Sequence, residues 1–310
     1  MEWSNVLIIG GTGTLGQHIV NASVKLGHPT FLLVRSITPS DPAKAELLKS
    51  FQKAGVTLLV GDVGDYASLV AALKQVEVVI SVVNRAPIAE QVNILEAAKE
   101  AGTIKRFIPS DFGFDMDKFQ TELPIMKSVL ESKIAIRRAT EQSGIPYTYV
   151  SGFAFATYYL ATILQESIGQ PPPRDGKLVI YSDGNAKGVY VDEEDIGIFT
   201  IKCVDDPRAA NKTLHIRPKE NIASQNEMTA MWEKKIGHVF EKEVLDKDAL
   251  LKSISELPFP GNFFRALIYH LCVEGNLVSD LDPVKDVEAT SLYPDVKYST
   301  MDEYLDRLAK

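Results

Sequence analysis

The chain has 310 residues, 45% of them apolar and 24% charged, values that exclude disorder over most of its length. With 33 basic and 41 acidic residues its net charge is −8, the wrong sign for general phosphate-backbone binding, so no nucleic-acid partner is expected. Two cysteines, Cys203 and Cys272, cannot form a disulfide framework and fit a reducing compartment. The first eleven residues lack a basic n-region, and the apolar run at 6–9 is too short for a signal peptide, so a cytoplasmic protein is expected.

Short β-branched runs then alternate with longer stretches of helical period. Residues 5–9, 30–34, 56–60, 78–83, 105–108 and 147–151 read as strands. Between them, 13–26, 43–54, 66–74, 87–101 and 124–143 read as helices, with Gly102 and Gly144 ending the last two. This rhythm predicts an α/β, Rossmann-type doubly wound parallel sheet. Beyond about residue 153 the rhythm breaks. Residues 177–181 and 186–191 read as a strand pair around Asp183-Gly184, 193–204 as a helix, 213–216 as a strand and 225–236 as an amphipathic helix around Trp232. We expect a cofactor domain at 1–155, with later contributions near 189–217, and a smaller α/β substrate lobe at 156–310. Residues 142–165 carry no charge, but Gly144, Pro146, Gly152 and four tyrosines argue against a membrane span.

Gly10-Gly11-Thr12-Gly13-Thr14-Leu15-Gly16 follows the first strand and opens the first helix. Glycines there permit a tight turn and close backbone approach to a pyrophosphate, which would face the helix N–H groups. The second strand ends Leu33-Val34-Arg35-Ser36, without the acid that would bind a ribose 2′-OH. Arg35, with Lys44 at the next helix start, suits a 2′-phosphate instead, which favours NADPH over NADH. Lys133 has Val129, Leu130 and Ile136 as helical neighbours and so sits on or beside an apolar stripe. Two readings stay open: a general base whose ammonium form is disfavoured by burial, or a lysine whose head snorkels to water. Tyr293-Pro-Asp-Val-Lys297 matches a Tyr-x-x-x-Lys pair, but Pro294 and its position near the C-terminus make it a poor catalytic helix.

With these features in hand, the chain resembles the plant isoflavone reductase-like group of NmrA-like, atypical short-chain dehydrogenases. The resemblance rests on His28-Pro-Thr-Phe-Leu-Leu-Val-Arg35, Asp111-Phe-Gly113, Ile136-Arg-Arg138, Pro146-Tyr-Thr-Tyr149, Asp192-Glu-Glu-Asp-Ile-Gly197, Trp232-Glu-Lys-Lys-Ile-Gly237 and Tyr293-Pro-Asp-Val-Lys297. It implies an NADPH-dependent reductase of phenylpropanoid, lignan or isoflavonoid aromatics, with Lys133 as the catalytic base. The cofactor contacts it implies are Gly10, Thr12, Gly13, Thr14, Leu15, Gly16, Arg35 and Lys44, with Phe153 near the nicotinamide. Benzylic ether reduction is the favoured reaction. Reduction of an isoflavone-type double bond, or formation of an allyl or propenyl phenol from an ester, is the enzymatic alternative, and a non-catalytic NADP sensor is the alternative of another class. Phe155, Tyr158 and Tyr159 suit a pocket for flat phenolic rings, with core packing as the competing reading. His270 matches a histidine near the substrate, and a packed structural histidine is its competing reading. The chain departs from the family's common pattern at Thr14-Leu15, Asn84, Asp111 and Phe153. No metal and no membrane partner are expected, and a homodimer is compatible with the resemblance.

Overall fold

A computed structural model describes residues 3–83, 90–166, 169–275, 278 and 280–310. The first half is β1 Val6–Ile9, α1 Thr14–Lys25, β2 Thr30–Val34, α2 Pro42–Lys53, β3 Thr57–Val60, α3 Tyr66–Leu73, β4 Val78–Ser81, α4 Gln91–Ala101, β5 Arg106–Ile108, α5 Pro124–Ser143 and β6 Thr148–Ser151. The five strands β1–β5 form one parallel sheet in the order β3-β2-β1-β4-β5. The sheet continues past β5, because Phe107 bridges Tyr147 and its N–H donates to the Pro146 carbonyl at 2.9 Å.

The second half comprises β7 Ala154–Phe155, α6 Ala156–Tyr159, β8 Lys177–Tyr181, β9 Lys187–Val191, α7 Glu193–Lys202, β10 Lys212–His215, β11 Ile222–Ser224, α8 Gln225–Ile236, β12 Glu241–Leu245, α9 Lys247–Glu256, α10 Gly261–Tyr269, β13 Asp286–Glu288, α11 Ala289–Leu292 and α12 Met301–Ala309. Strand β10 pairs in parallel with β6, and β13 with β10, so the later chain extends the main sheet.

Successive side chains of a strand point to opposite faces, and both faces here are apolar. Val6, Ile8, Leu32, Val34 and Ile80 join one core cluster with α1 and α2. Leu7, Ile9, Leu33, Val79 and Phe107 join the other with α3 and α4. Helix α7 covers the first face by lying close on α1: a Cβ on Gly197 would stand 2.7 Å from the His18 carbonyl oxygen. Among the described residues, no helix is long and apolar enough to cross a membrane. The uncharged stretch 142–165 holds the end of α5, then β6, β7 and α6.

The expected strand pair at 177–191 does not form. Strand β8 pairs in parallel with β12, and β9 pairs with β11 and β7. Two glutamine side chains occupy the edge of β8 where a hairpin partner would sit. Gln165 accepts from Val179 N–H at 3.0 Å and donates to the Val179 carbonyl at 3.2 Å. Gln225 accepts from Tyr181 N–H and donates to the same carbonyl, both at 2.9 Å. The helix expected at 87–101 starts at Gln91 among the described residues, and Asn84 lies outside them.

Candidate active site

The turn between β1 and α1 can be built only with glycine at two points. Gly10 has φ +86°, and a Cβ there would lie 2.4 Å from the Val82 carbonyl oxygen. A Cβ on Gly16 would lie 2.3 Å from the Gly10 carbonyl oxygen, so α1 starts hard against β1. Gly13 N–H donates to the Gly10 carbonyl at 3.0 Å, and the Thr12 carbonyl accepts from Gln17 Nε2 at 3.3 Å. No side chain caps α1 at Gly13, and Gly13 and Thr14 are exposed. The first-turn N–H groups therefore meet an open space with the positive end of a helix, which suits an anion.

At the end of β2, Arg35 has a side chain 79% exposed, with Asp62 beyond β3 at 3.9 Å. Asp62 is an acid that spacing along β2 does not reveal. Lys44 lies half-buried in the first turn of α2, which Asp41 caps by accepting from the Ala43 and Lys44 N–H groups. The glycine cradle, the uncapped helix end and the exposed guanidinium together fit a dinucleotide carrying an extra phosphate.

Beside this turn lies a cavity of about 430 Å³. Gly13, Thr14, Leu15 and Gly16 form one wall, and Gly10 and Thr12 shape the turn behind it. Lys133 on α5 is the only formally charged side chain among its described lining residues. Val129 and Leu130, one turn earlier, also line the cavity, as the helical stripe predicts. Only 17% of the Lys133 side chain is exposed, and Nζ sits 3.9 Å from where a Gly113 Cβ would be. Burial lowers the Lys133 pKa below the ordinary lysine range; Asp111 opposes the shift and Arg137 adds to it. Lys133 thus lines the cavity with most of its side chain buried.

Phe153, Phe155, Tyr158 and Tyr159 all line the same cavity. Phe153 has φ +54°, a left-handed conformation that is strained for a bulky residue. It is held there by its N–H donating to the Gly113 carbonyl at 3.1 Å, and its ring is turned into the cavity wall. Phe155 stacks on Tyr158 at 6.3 Å, and Phe263 and Leu267 of the neighbouring α10 line the same cavity. Burial pushes the Tyr159 hydroxyl above the usual tyrosine range, so it stays protonated.

His270 is not among the lining residues. It is fully buried, its Nε2 bonds Thr121 Oγ1 at 2.9 Å and its Nδ1 bonds Glu274 at 2.8 Å. Its ring meets Phe119 edge-on at 4.7 Å, and Phe119 faces the cavity. With both ring nitrogens engaged, His270 backs the wall one layer behind it.

Comparison with known proteins agrees with this architecture. The NmrA-like family profile matches residues 2–305. The chain belongs to the NmrA-like family. It is 51% identical to phenylcoumaran benzylic ether reductase IRL1 of Ginkgo biloba, over 99% of both chains. It is also 51% identical to eugenol synthase 1 of Petunia hybrida, again over 99% of both. Among solved structures, AtPrR2 with NADP+ and (+)pinoresinol superposes with a TM-score of 0.92 at 39% identity, over 99% of both chains.

Behind Lys133 this NmrA-like chain buries a group of charges that periodicity did not single out as a site. Arg137, one turn along α5, is 1% exposed. Its Nε and Nη2 reach Asp111 Oδ2 at 2.6 and 2.5 Å, and its Nη1 reaches Asp115 and Asp117 at 2.7 Å each. The available signal was its i+4 spacing from Lys133 combined with acids at 111, 115 and 117. Asp115 and Asp117 also line a second, polar cavity of about 480 Å³ with Lys118, Arg138, Glu141 and Asp286. At its edge Asp115, His215 and Asp286 converge within 4.8 Å. Lys118 already supplies a cation there, 2.5 Å from Asp286 and 3.9 Å from Asp115.

Proposed function

We propose that this protein is an NADPH-dependent reductase of phenylpropanoid-derived aromatics that directs hydride to a benzylic carbon, with Lys133 as general base. The observation that carries this reading is the placement of a lone, desolvated amine in an aromatic-walled cavity that opens on an uncapped helix N-terminus. The names of the relatives support the same substrate class.

Gly10, Thr12, Gly13, Thr14, Leu15 and Gly16 hold the pyrophosphate, Arg35 and Lys44 the 2′-phosphate, and Phe153 packs near the nicotinamide. Residues 1–155, with later strands near 189–217, form the cofactor half, and 156–310 supply most of the substrate wall. NADPH, when bound, supplies the hydride. Phe155, Tyr158 and Tyr159 hold the phenolic ring flat and keep water away. Neutral Lys133 accepts the phenolic proton at Nζ. The electron-rich ring then expels the benzylic ether oxygen as an oxyanion, which takes the proton held on Lys133 and leaves a quinone methide; its electrophilic benzylic carbon would accept the hydride from NADPH, and the phenolate so restored takes a proton from solvent. Asp111 faces the ammonium that forms and offsets its charge. We place the protein in the reducing cytoplasm, where its two buried thiols stay free.

The equal identity to a eugenol synthase favours a second reading at the same site, formation of an allyl or propenyl phenol from a coniferyl-type ester. A panel of phenylcoumarans, pinoresinol, isoflavones and coniferyl esters, each with NADPH, tests both. Reduction at a benzylic carbon supports the first, and an allyl or propenyl phenol the second. Inertness toward every member with intact NADPH binding would overturn both and favour a cofactor sensor.

A further inference from the structure

Asp111 is split in its loyalties. Both contacts from Arg137 fall on Oδ2, at 2.5 and 2.6 Å. The other oxygen, Oδ1, is buried, makes no hydrogen bond, and faces Lys133 Nζ at 4.0 Å. A buried carboxylate oxygen without a partner is costly unless its charge is used. Arg137 has its remaining arm engaged by Asp115 and Asp117, and its guanidinium lies 4.3 Å over the Tyr149 ring. That clamp fixes the plane of the Asp111 carboxyl and leaves Oδ1 facing Lys133 Nζ.

We propose that Asp111 is the positioning residue for Lys133: clamped by Arg137 through one oxygen, it uses the other to hold Nζ over Gly113 and to set when that amine carries a proton. The proposal rests on the reading of Lys133 as the base. The groups facing Lys133 are few. Asp111 approaches from the loop after β5, with Asp115 behind Arg137. Arg137 approaches from α5 itself, whose Lys127 and Glu131 are exposed to solvent. Tyr158 and Tyr159 line the same cavity, as do the apolar Phe263 and Leu267 of α10. Among the described residues, Asp111 is therefore the anion that bears on Lys133, and Arg137 the competing cation. Removing the Asp111 charge leaves Lys133 with burial and Arg137 repulsion, both of which disfavour the ammonium. Restoring a carboxylate on a longer arm brings the anion nearer to Nζ.

The test reads Lys133 itself. Trace acetylation with acetic anhydride across a pH series, quantified on the Lys133 peptide by mass spectrometry, reports its protonation midpoint in the full-length chain. Asp111→Asn should lower the midpoint by about one pH unit or more, because an anion about 4 Å away is lost from a poorly solvated site. Asp111→Glu should hold it at or above the wild-type value. In turnover, Asp111→Asn should move the alkaline rise of kcat to lower pH and Asp111→Glu should restore it, whereas a merely structural role would change amplitude alone. An unchanged midpoint in Asp111→Asn, or a fall in Asp111→Glu, overturns the proposal. If Asp111→Asn does not fold, the direction of the Asp111→Glu shift decides. The acetylation midpoint does not depend on catalysis. A Lys133→Met chain with full turnover would sink the base assignment while leaving the role of Asp111 to be judged on the midpoint.

Discussion

The two cavities are joined by one buried guanidinium and use charge in opposite ways. In the first, aromatic and aliphatic walls surround Lys133, and Asp111 at 4.0 Å is its only ion-pair contact among the described residues. In the second, most lining side chains are charged, and many are paired: Lys118 with Asp286, and Arg138 with Asp117 and Glu141. Arg137 lies between them, paired with Asp111 beside Lys133 and with Asp115 and Asp117 of the second cavity. The difference teaches where to look for chemistry. Charges that compensate one another hold structure together. A charge left largely uncompensated in an apolar cavity has its pKa displaced and is available to move a proton.

The comparison breaks first at Arg137 if it is wrong. Arg137→Met takes the guanidinium from two buried carboxylates, Asp111 and Asp115, while Asp117 keeps Arg138, and should destabilise the protein by about 3–5 kcal/mol in a denaturant titration. A loss below about 1 kcal/mol would mean that the second cavity does not hold the fold. On the first cavity's side, the cofactor turn makes a sharper demand. NADPH should bind at least tenfold tighter than NADH. Arg35→Ser should cost about 1.5–3 kcal/mol in NADPH affinity and leave NADH binding unchanged, as read by fluorescence titration. Equal losses for both cofactors would remove the 2′-phosphate from its role. A smaller effect separates the cavities directly. Lys118→Gln should lower stability by about 1 kcal/mol through Asp286 while turnover stays within twofold. A tenfold loss of turnover would make the polar cavity part of the chemistry.

Acidity sharpens the same contrast. The folded-state pKa of Lys133 lies below its unfolded value, so the unfolded chain binds that proton more readily. Its burial therefore opposes folding at low and neutral pH, and stability recovers as pH rises through the window between the two values. Lys133→Met removes the penalty, and its melting temperature at neutral pH should not fall below wild type. For turnover the sign is also upward: kcat should rise with pH as the ammonium loses its proton, then level off.

Much of this was legible in the chain because it is local. Residues 30–34, 124–143 and 225–236 carry their strand or helix period and their stops within themselves, and the structure keeps those bounds. Lys133 showed itself by standing on an apolar helical stripe. The partner of β8 did not, because its edge is satisfied by Gln165 and Gln225, 14 and 46 residues from the Val179 carbonyl they bond. His270 was expected in the pocket and stands behind Phe119, a displacement of one layer that periodicity does not resolve. Arg137 was visible as part of a motif, but its three acids come from a loop whose course over α5 only the fold defines.

We propose that Lys133, the only formally charged side chain among the described lining residues, takes the substrate's proton. Steady-state turnover of Lys133→Ala with NADPH, on whichever member of the phenolic panel the wild type reduces, tests it most directly when NADPH affinity is measured on the same preparation. Turnover should fall by about a thousandfold or more, within the range of a lost acid–base group, with NADPH affinity preserved within about twofold. Wild-type turnover in that variant would contradict it.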